Sequence, residues 1–260
     1  MQITVINIRV VFVLFFILNF LFFACKPPKK DQEKHLNPEQ NKTINSIHRD
    51  TLGFYLYLTD FGLCDLSKLD KRIFFDIKYA SSDNFMNQTL YSIINRPFLN
   101  KYVAIRLVKC QDALSKLDSS LHLLIYDAVR PVDVQWKMWN ALDTLKPSDR
   151  VKFVSNPANK SLHNYGAAID LTICDSKGNP LDMGAGFDDI RKIAYPSMEA
   201  HFLATGELTE QQIANRSLLR KVMRTQGFRY LPTEWWHFNA CSRSYAAKKY
   251  RLLEKEFIPQ

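Results

Sequence analysis

Apolar positions recur every three to four residues from Asn100 to Leu117. Val103, Leu107, Cys110, Leu114 and Leu117 share one stripe, which predicts an amphipathic helix with Cys110 as a buried free thiol. A second helical pattern runs from Thr209 to Thr225, with Thr209 placed to cap it. A third runs from Val132 to Leu145, opened by Pro131, whose missing N–H costs little at a helix start. Between them lie stretches with strand character. Arg72 to Tyr79 is rich in β-formers, Leu121 to Tyr126 reads as a buried strand, and Ala167 to Ile173 and Trp235 to Asn239 read as two more. This interleaving predicts an α+β domain with a small, mainly antiparallel sheet flanked by helices.

The N-terminal end of the pattern differs from the rest. Met1 to Arg9 carries one positive charge, and Val10 to Ala24 is apolar except for Asn19. That run is shorter than the roughly 20 residues of a comfortable membrane span and fits the core of a secretory signal. Ala24-Cys25 followed by Lys26-Pro27-Pro28-Lys29-Lys30 resembles a bacterial lipoprotein signal, which implies lipidation of Cys25 and a membrane-anchored, exported protein of the periplasm or cell envelope. Plain cleavage and an uncleaved anchor are the other readings. Lys26 to Asp50 is polar and reads as a flexible tether. The expected organisation is a signal peptide over 1–25, a tether over 26–50 and a single folded domain over 51–260.

Composition narrows the function classes. The chain has 260 residues, 47% apolar and 13% aromatic, enough for a substantial core, and a formal net charge of +9. Such a surface attracts anionic polymers, yet no helix gathers Lys and Arg on one face, so a nucleic-acid partner is not expected. No obligate protein partner is inferred. Cys64, Cys110, Cys174 and Cys241 allow three pairings in an oxidising compartment, and their spacing contains no C-x-x-C pair, which argues against a cysteine zinc site.

The candidate chemistry sits in Ser161-Leu162-His163-Asn164-Tyr165-Gly166-Ala167-Ala168-Ile169-Asp170 and Glu234-Trp235-Trp236-His237. His163 and Asp170 are too far apart for one helical turn but suit a loop feeding a strand, with Gly166 allowing a sharp bend. Three ligands, His163, Asp170 and His237, would leave the fourth position of a tetrahedral zinc open for water, as hydrolysis requires. Glu234 is the candidate base. Strand alternation would point residues 234 and 237 to opposite sides, so Glu234 must lie at a bend or a strand start, and Pro232 makes that boundary plausible.

The pattern S-x-H-x-x-G-x-A-x-D followed by E-x-W-H resembles the metallopeptidase family of the vancomycin-resistance D-alanyl-D-alanine dipeptidases. Asp76-Ile77-Lys78-Tyr79-Ala80, Asp83-Asn84-Phe85, Tyr126-Asp127-Ala128-Val129-Arg130-Pro131 and Met183-Gly184-Ala185-Gly186-Phe187-Asp188 follow the family's order, over roughly residues 70 to 245. The resemblance implies one zinc ion per chain on His163, Asp170 and His237, Glu234 as general base and acid, and Arg130 as stabiliser of the oxyanion. It further implies that Tyr79, Ser161 and Asp188 hold the termini of a small D,D-dipeptide of peptidoglycan origin. Asp127 is the candidate to orient Arg130, with a turn carboxylate as the plain alternative; for Asp188 the plain alternative is a helix N-cap. Val129, Asn164 and Tyr165 depart from the family's usual residues and bear on the shape of the pocket wall.

The competing functions are a D,D-carboxypeptidase acting on peptidoglycan stem peptides, a non-catalytic wall-binding lipoprotein, and a serine hydrolase built on Ser161. Glu234 and the Asp76 to Phe85 block favour the dipeptidase over the carboxypeptidase. The complete set of ligands, base and arginine argues against a binding module, and the absence of a G-x-S-x-G elbow argues against the serine hydrolase.

Overall fold

The computed structural model describes residues 51–151 and 154–256; the signal, the tether and Cys25 lie outside the described residues. The chain enters through a helix over 51–60 (α1), followed by β1 (Leu63–Asp65) and the single turn α2 (Leu66–Leu69). β1 pairs antiparallel with β3 (Phe98–Asn100). The main sheet has five strands, ordered β2 (Phe74–Phe75), β4 (His122–Asp127), β5 (Ala168–Cys174), β7 (Glu234–Asn239) and β6 (Arg229–Leu231). β2 runs parallel to β4 and every other neighbouring pair is antiparallel, the α+β arrangement that the sequence pattern predicts.

The helices are α3 (Lys101–Leu117), α4 (Val132–Ala141), α5 (Pro147–Arg150), α6 (Glu199–Ala204), α7 (Glu210–Arg224) and α8 (Arg243–Lys249). α3 starts where Asn100 caps the Tyr102 N–H at 3.1 Å. Its stripe of Val103, Leu107, Cys110 and Leu114 is fully buried, whereas Leu117 is exposed because the helix ends there. Replacing Leu107 by Ala would cost about 2–5 kcal/mol by opening a cavity. α7 is capped by the reciprocal pair Thr209 and Gln212, and it packs against both α3 and β5.

Two predicted elements are shorter than expected. α4 stops at Ala141 rather than Leu145, because the Arg150 guanidinium takes the carbonyls of Trp139, Asp143 and Leu145 and turns the chain. Of Arg72 to Tyr79 only Phe74–Phe75 pairs as a strand. Residues 78–80 turn instead, with the Leu90 and Tyr91 N–H groups both donating to the Tyr79 carbonyl, which swings the Tyr79 ring into the cleft.

β5 is central and buried on both faces. Ile169, Leu171 and Ile173 share one face with Phe238 of β7 and Ile125 of β4, while Asp170 shares the other face with its register partner His237. A register shift between Ile125 and Asp127 brings the end of β4 opposite Asp170. Such irregularities re-aim side chains, and here two carboxylates arrive at one site.

Candidate active site

The sheet brings His163, Asp170 and His237 together in a cleft of about 510 Å³ that also contains Tyr79, Arg130, Ser161, Asp188 and Glu234. The three candidate ligands are all buried, and each offers one donor atom within 4.8 Å of the others. His237 Nδ1 lies 2.9 Å from Asp170 Oδ1 and 3.3 Å from His163 Nε2, and His163 Nε2 lies 3.4 Å from Asp170 Oδ2. Donors bonded to a tetrahedral zinc at about 2.0–2.2 Å stand roughly 3.3 Å apart, so the spacing fits such an ion.

The remaining imidazole nitrogens are tied off. His163 Nδ1 is 2.7 Å from the Ala128 carbonyl, which accepts its N–H and leaves the Nε2 lone pair facing the cluster. His237 Nε2 is 2.9 Å from Asn239 Oδ1, which does the same for the Nδ1 lone pair. Outer hydrogen bonds of this kind set the tautomer and ring angle of metal ligands.

His163 is placed by a short helical turn, Leu162–Tyr165, capped by Ser161 and ended by Gly166 in a left-handed conformation (φ 59°). A side chain at Gly166 would come within 2.8 Å of the Asn100 backbone nitrogen and of Leu63 Cδ2, so only glycine fits. Asn164 holds the turn from inside: Oδ1 accepts the Ser161 N–H at 2.7 Å, and Nδ2 donates to the Arg130 carbonyl and to Gln135 Oε1. Ser161 Oγ accepts the His163 backbone N–H at 3.3 Å, a capping role that leaves its own proton free to donate. No serine–histidine side-chain pair is among the described hydrogen bonds, and the serine hydrolase reading finds no support there.

A known family profile, described as D-ala-D-ala dipeptidase, matches residues 59–254. The chain belongs to that peptidase family. A D-alanyl-D-alanine dipeptidase of Escherichia coli (strain K12) is 33% identical over 195 residues, 75% of this chain and 91% of its own length. One of Enterococcus faecium is 28% identical over 193 residues, 69% of this chain and 91% of its own. The solved LdcB LD-carboxypeptidase aligns at 19% identity over 58% of this chain and 63% of its own, with a TM-score of 0.36. The protein is therefore a peptidase, an enzyme, and the metal-fitting cluster agrees with its place in a family of metallopeptidases.

Within this member of the family, Arg130 is buried and held by a fork: its Nε and Nη2 donate to Asp127 Oδ2 at 2.9 and 2.7 Å, and Nη2 reaches Asp170 Oδ2 at 3.4 Å. Burial opposes its charge, but Asp127 outweighs that and keeps the guanidinium firmly protonated. Asp127, the last residue of β4, is a buried carboxylate bonded to the guanidinium, a geometry compatible with an orienting role. Its second oxygen accepts the Tyr91 hydroxyl at 2.6 Å. Tyr91 is a contact the sequence did not announce, since its ring neighbours Tyr79 edge-on at 6.0 Å from a distant loop.

Asp188 does not cap a helix. It adopts a left-handed backbone (φ 60°), and its carboxylate receives the Tyr79 hydroxyl at 3.1 and 3.0 Å. Desolvation, followed by the Asp170 charge, pushes its carboxyl well above the usual range. Among the described ion pairs none involves this carboxylate, which lines the cleft. Tyr79 in turn lies under the Arg130 guanidinium, 5.0 Å from ring centre to carbon.

Glu234 is the first residue of β7, opposite Leu231 at a register shift, and this strand start answers the alternation problem posed by residues 234 and 237. Its Oε2 is 3.8 Å from His237 Nδ1, and its side chain is one-third exposed. Desolvation raises its carboxyl above the ordinary value, with His237 pulling the other way. Desolvation lowers the His237 imidazole, but the Asp170 hydrogen bond and charge outweigh it and carry the group up to about 9.

Val129, Asn164 and Tyr165 are buried and are not among the residues that line the cleft. The four described cysteines are free thiols, and burial pushes Cys110 up to about 12. Asn239 and Arg229, which also border the site, carry no signal in the sequence beyond their place in paired strands.

Proposed function

We propose that this peptidase is a zinc-dependent dipeptidase that hydrolyses free D-Ala-D-Ala, or a close D,D-dipeptide relative of peptidoglycan origin, outside the cytoplasm. The observation that carries the reading is the convergence of His163 Nε2, His237 Nδ1 and Asp170 with both outer imidazole nitrogens hydrogen-bonded away, beside the Glu234 carboxylate. A zinc ion held there, one per chain, supplies Lewis-acid polarisation and lowers the pKa of water to about 7.

The protein's own groups do the rest. Glu234 takes the proton of the attacking water and returns it to the leaving amine, work suited to a carboxylate raised by its surroundings. Arg130, already oriented by Asp127, donates to the carbonyl oxygen as that atom gains charge, with no reorganisation needed at the moment of reaction. Asp188 and the Tyr79 hydroxyl receive the substrate ammonium through charge-assisted hydrogen bonds. Ser161 offers its hydroxyl proton to the peptide's other end.

A dipeptidase needs that ammonium site immediately beside the scissile bond, whereas an enzyme trimming stem peptides meets an amide there. The test is hydrolysis of D-Ala-D-Ala, its N-acetylated form and L-Ala-L-Ala, with zinc and with a chelator. Chelator-sensitive cleavage of the free D,D-dipeptide alone is expected; cleavage of the blocked peptide would transfer the assignment to a carboxypeptidase. Export with lipidation at Cys25 rests on the sequence of residues 1–30, and is tested by palmitate labelling that Cys25→Ser abolishes.

A further inference from the structure

We infer that Arg229 is the specificity residue that recognises the substrate's free carboxylate, so that the enzyme is restricted to peptides ending in an unblocked carboxyl group on the leaving side; this rests on the dipeptidase reading. A zwitterionic dipeptide needs a cation as well as an anion in its site, and the cleft contains three arginines, Arg130, Arg229 and Arg243. Arg130 is committed to Asp127 and Asp170. Among the described ion pairs neither Arg229 nor Arg243 has an acidic partner; of the carboxylates that line the cleft, Asp170 is paired with Arg130 and Asp189 with Arg191, while Asp188 and Glu234 have no arginine partner among those pairs.

Sheet register decides between the two. Arg229 of the edge strand β6 lies directly opposite Asn239 of β7, and opposite residues of an antiparallel pair project from the same face. Asn239 shares that face with His237, two residues away, and touches it at 2.9 Å. Arg229 is therefore one strand spacing, about 4.8 Å, beyond the metal-ligand strand. Across the sheet the order is Arg130 and its Asp127 at β4, Asp170 and His237 on β5 and β7, and Arg229 on β6. Tyr79 and Asp188 join the β4 side, since the Tyr79 ring lies against Arg130. A dipeptide whose ammonium sits at Asp188 and whose scissile carbonyl sits over the ligands points its carboxylate towards β6. A guanidinium there matches the carboxylate's two oxygens with paired N–H donors. Arg243, the first residue of α8, also borders the cleft but is not on the sheet.

The experiment measures kcat and KM for D-Ala-D-Ala and for its C-terminal amide with the parent enzyme, Arg229→Ala, Arg229→Lys and Arg243→Ala. Arg229→Ala is expected to raise KM for the acid about 10- to 100-fold, to leave the amide unchanged and to abolish the parent's preference between them. Arg229→Lys is expected to recover part of that preference, and Arg243→Ala to change it less. An equal effect of Arg229→Ala on acid and amide, or no effect on either, overturns the proposal. If the parent cleaves neither compound, the dipeptidase reading fails by itself, and calorimetric binding of D-Ala-D-Ala and its amide to the parent and Arg229→Ala still decides: a carboxylate preference lost with Arg229 supports its role, and equal affinities in the parent overturn it.

Discussion

The side-chain oxygen of Asn239 lies 2.9 Å from Nε2 of His237, two residues back on the same strand. The contact fixes which nitrogen of the imidazole carries the proton and which lone pair faces Asp170 and His163. Asn239→Ala should therefore lower zinc affinity about 10- to 100-fold, the usual loss when an outer partner of a metal ligand is removed. Competition with a chromophoric chelator measures it, and unchanged affinity would show that Asp170 alone sets the ring.

Metal loading should also depend on pH. Without metal, His237 titrates at about 9, raised by Asp170 against the opposing effect of burial. A raised folded pKa means that the protonated His237–Asp170 pair contributes stability fully below the free imidazole value of about 6.5, and that this contribution fades as pH rises through about 9. The metal needs the deprotonated ring, so zinc should bind more tightly as pH climbs from 6 to 9 and release a proton in doing so. Calorimetry in buffers of different ionisation enthalpy counts that proton; zero release across the range would contradict the assignment.

Glu234→Gln should retain zinc while lowering kcat by about 10²- to 10⁴-fold, since the amide cannot take the water's proton. In the parent, the low-pH limb of the rate profile should lie above the ordinary carboxylate value, because desolvation raises Glu234 and the base must be ionised to act. Rates across pH 4 to 8, paired with metal analysis, test both points. A glutamine variant of parental activity would remove Glu234 from the mechanism.

Asp188→Asn should weaken substrate binding and stabilise the substrate-free protein at once. Its carboxyl is held well above its unfolded value by desolvation and by Asp170, so from about pH 4 upward the unfolded chain gives up this proton more readily than the folded one, and folding loses stability as pH rises. Replacing it should raise the melting temperature at pH 7, with the gain vanishing below about pH 4, while KM for the free dipeptide rises. A melting temperature that drops at neutral pH would mean that the Tyr79 contact outweighs the cost of burying the carboxyl.

Asp127→Ala should be the most damaging single change near the site. It would leave the Arg130 guanidinium without its fork and the Tyr91 hydroxyl with only the long 3.4 Å contact to the Val129 carbonyl, a loss of about 3–5 kcal/mol for breaking a buried pair. Tyr91→Phe removes one hydrogen bond and should cost about 1.5–3 kcal/mol. Urea denaturation separates the two, and equal losses would show that the guanidinium finds another partner.

The local pattern of residues was enough to nominate the three candidate ligands and the candidate base, because metal ligands need particular side chains and sit at short, characteristic intervals; Arg130 was nominated through the family resemblance. His163 and Asp170 flank one bend, and Glu234 and His237 one strand start. It was also enough for α3, α7 and the core strands β4, β5 and β7, whose apolar periodicity is imposed by burial along a single element. It failed where a distant group ends or redirects an element. Arg150 stops α4 four residues early, and the turn at residues 78–80 converts a β-rich stretch into the support for Tyr79. α1, β1, β3 and α8 carried too little periodicity to be read as elements at all.

By itself, then, the sequence determined the groups available to this protein: two imidazoles, their carboxylate partner, a second carboxylate as candidate base and an arginine, in an α+β frame. Only the tertiary structure decided how those groups act on one another. The Tyr91 hydroxyl on Asp127 and the place of Arg229 beside the ligand strand arise from sheet register and loop packing. Those depend on how segments far apart in the chain come to share a buried face, which no short stretch of residues encodes.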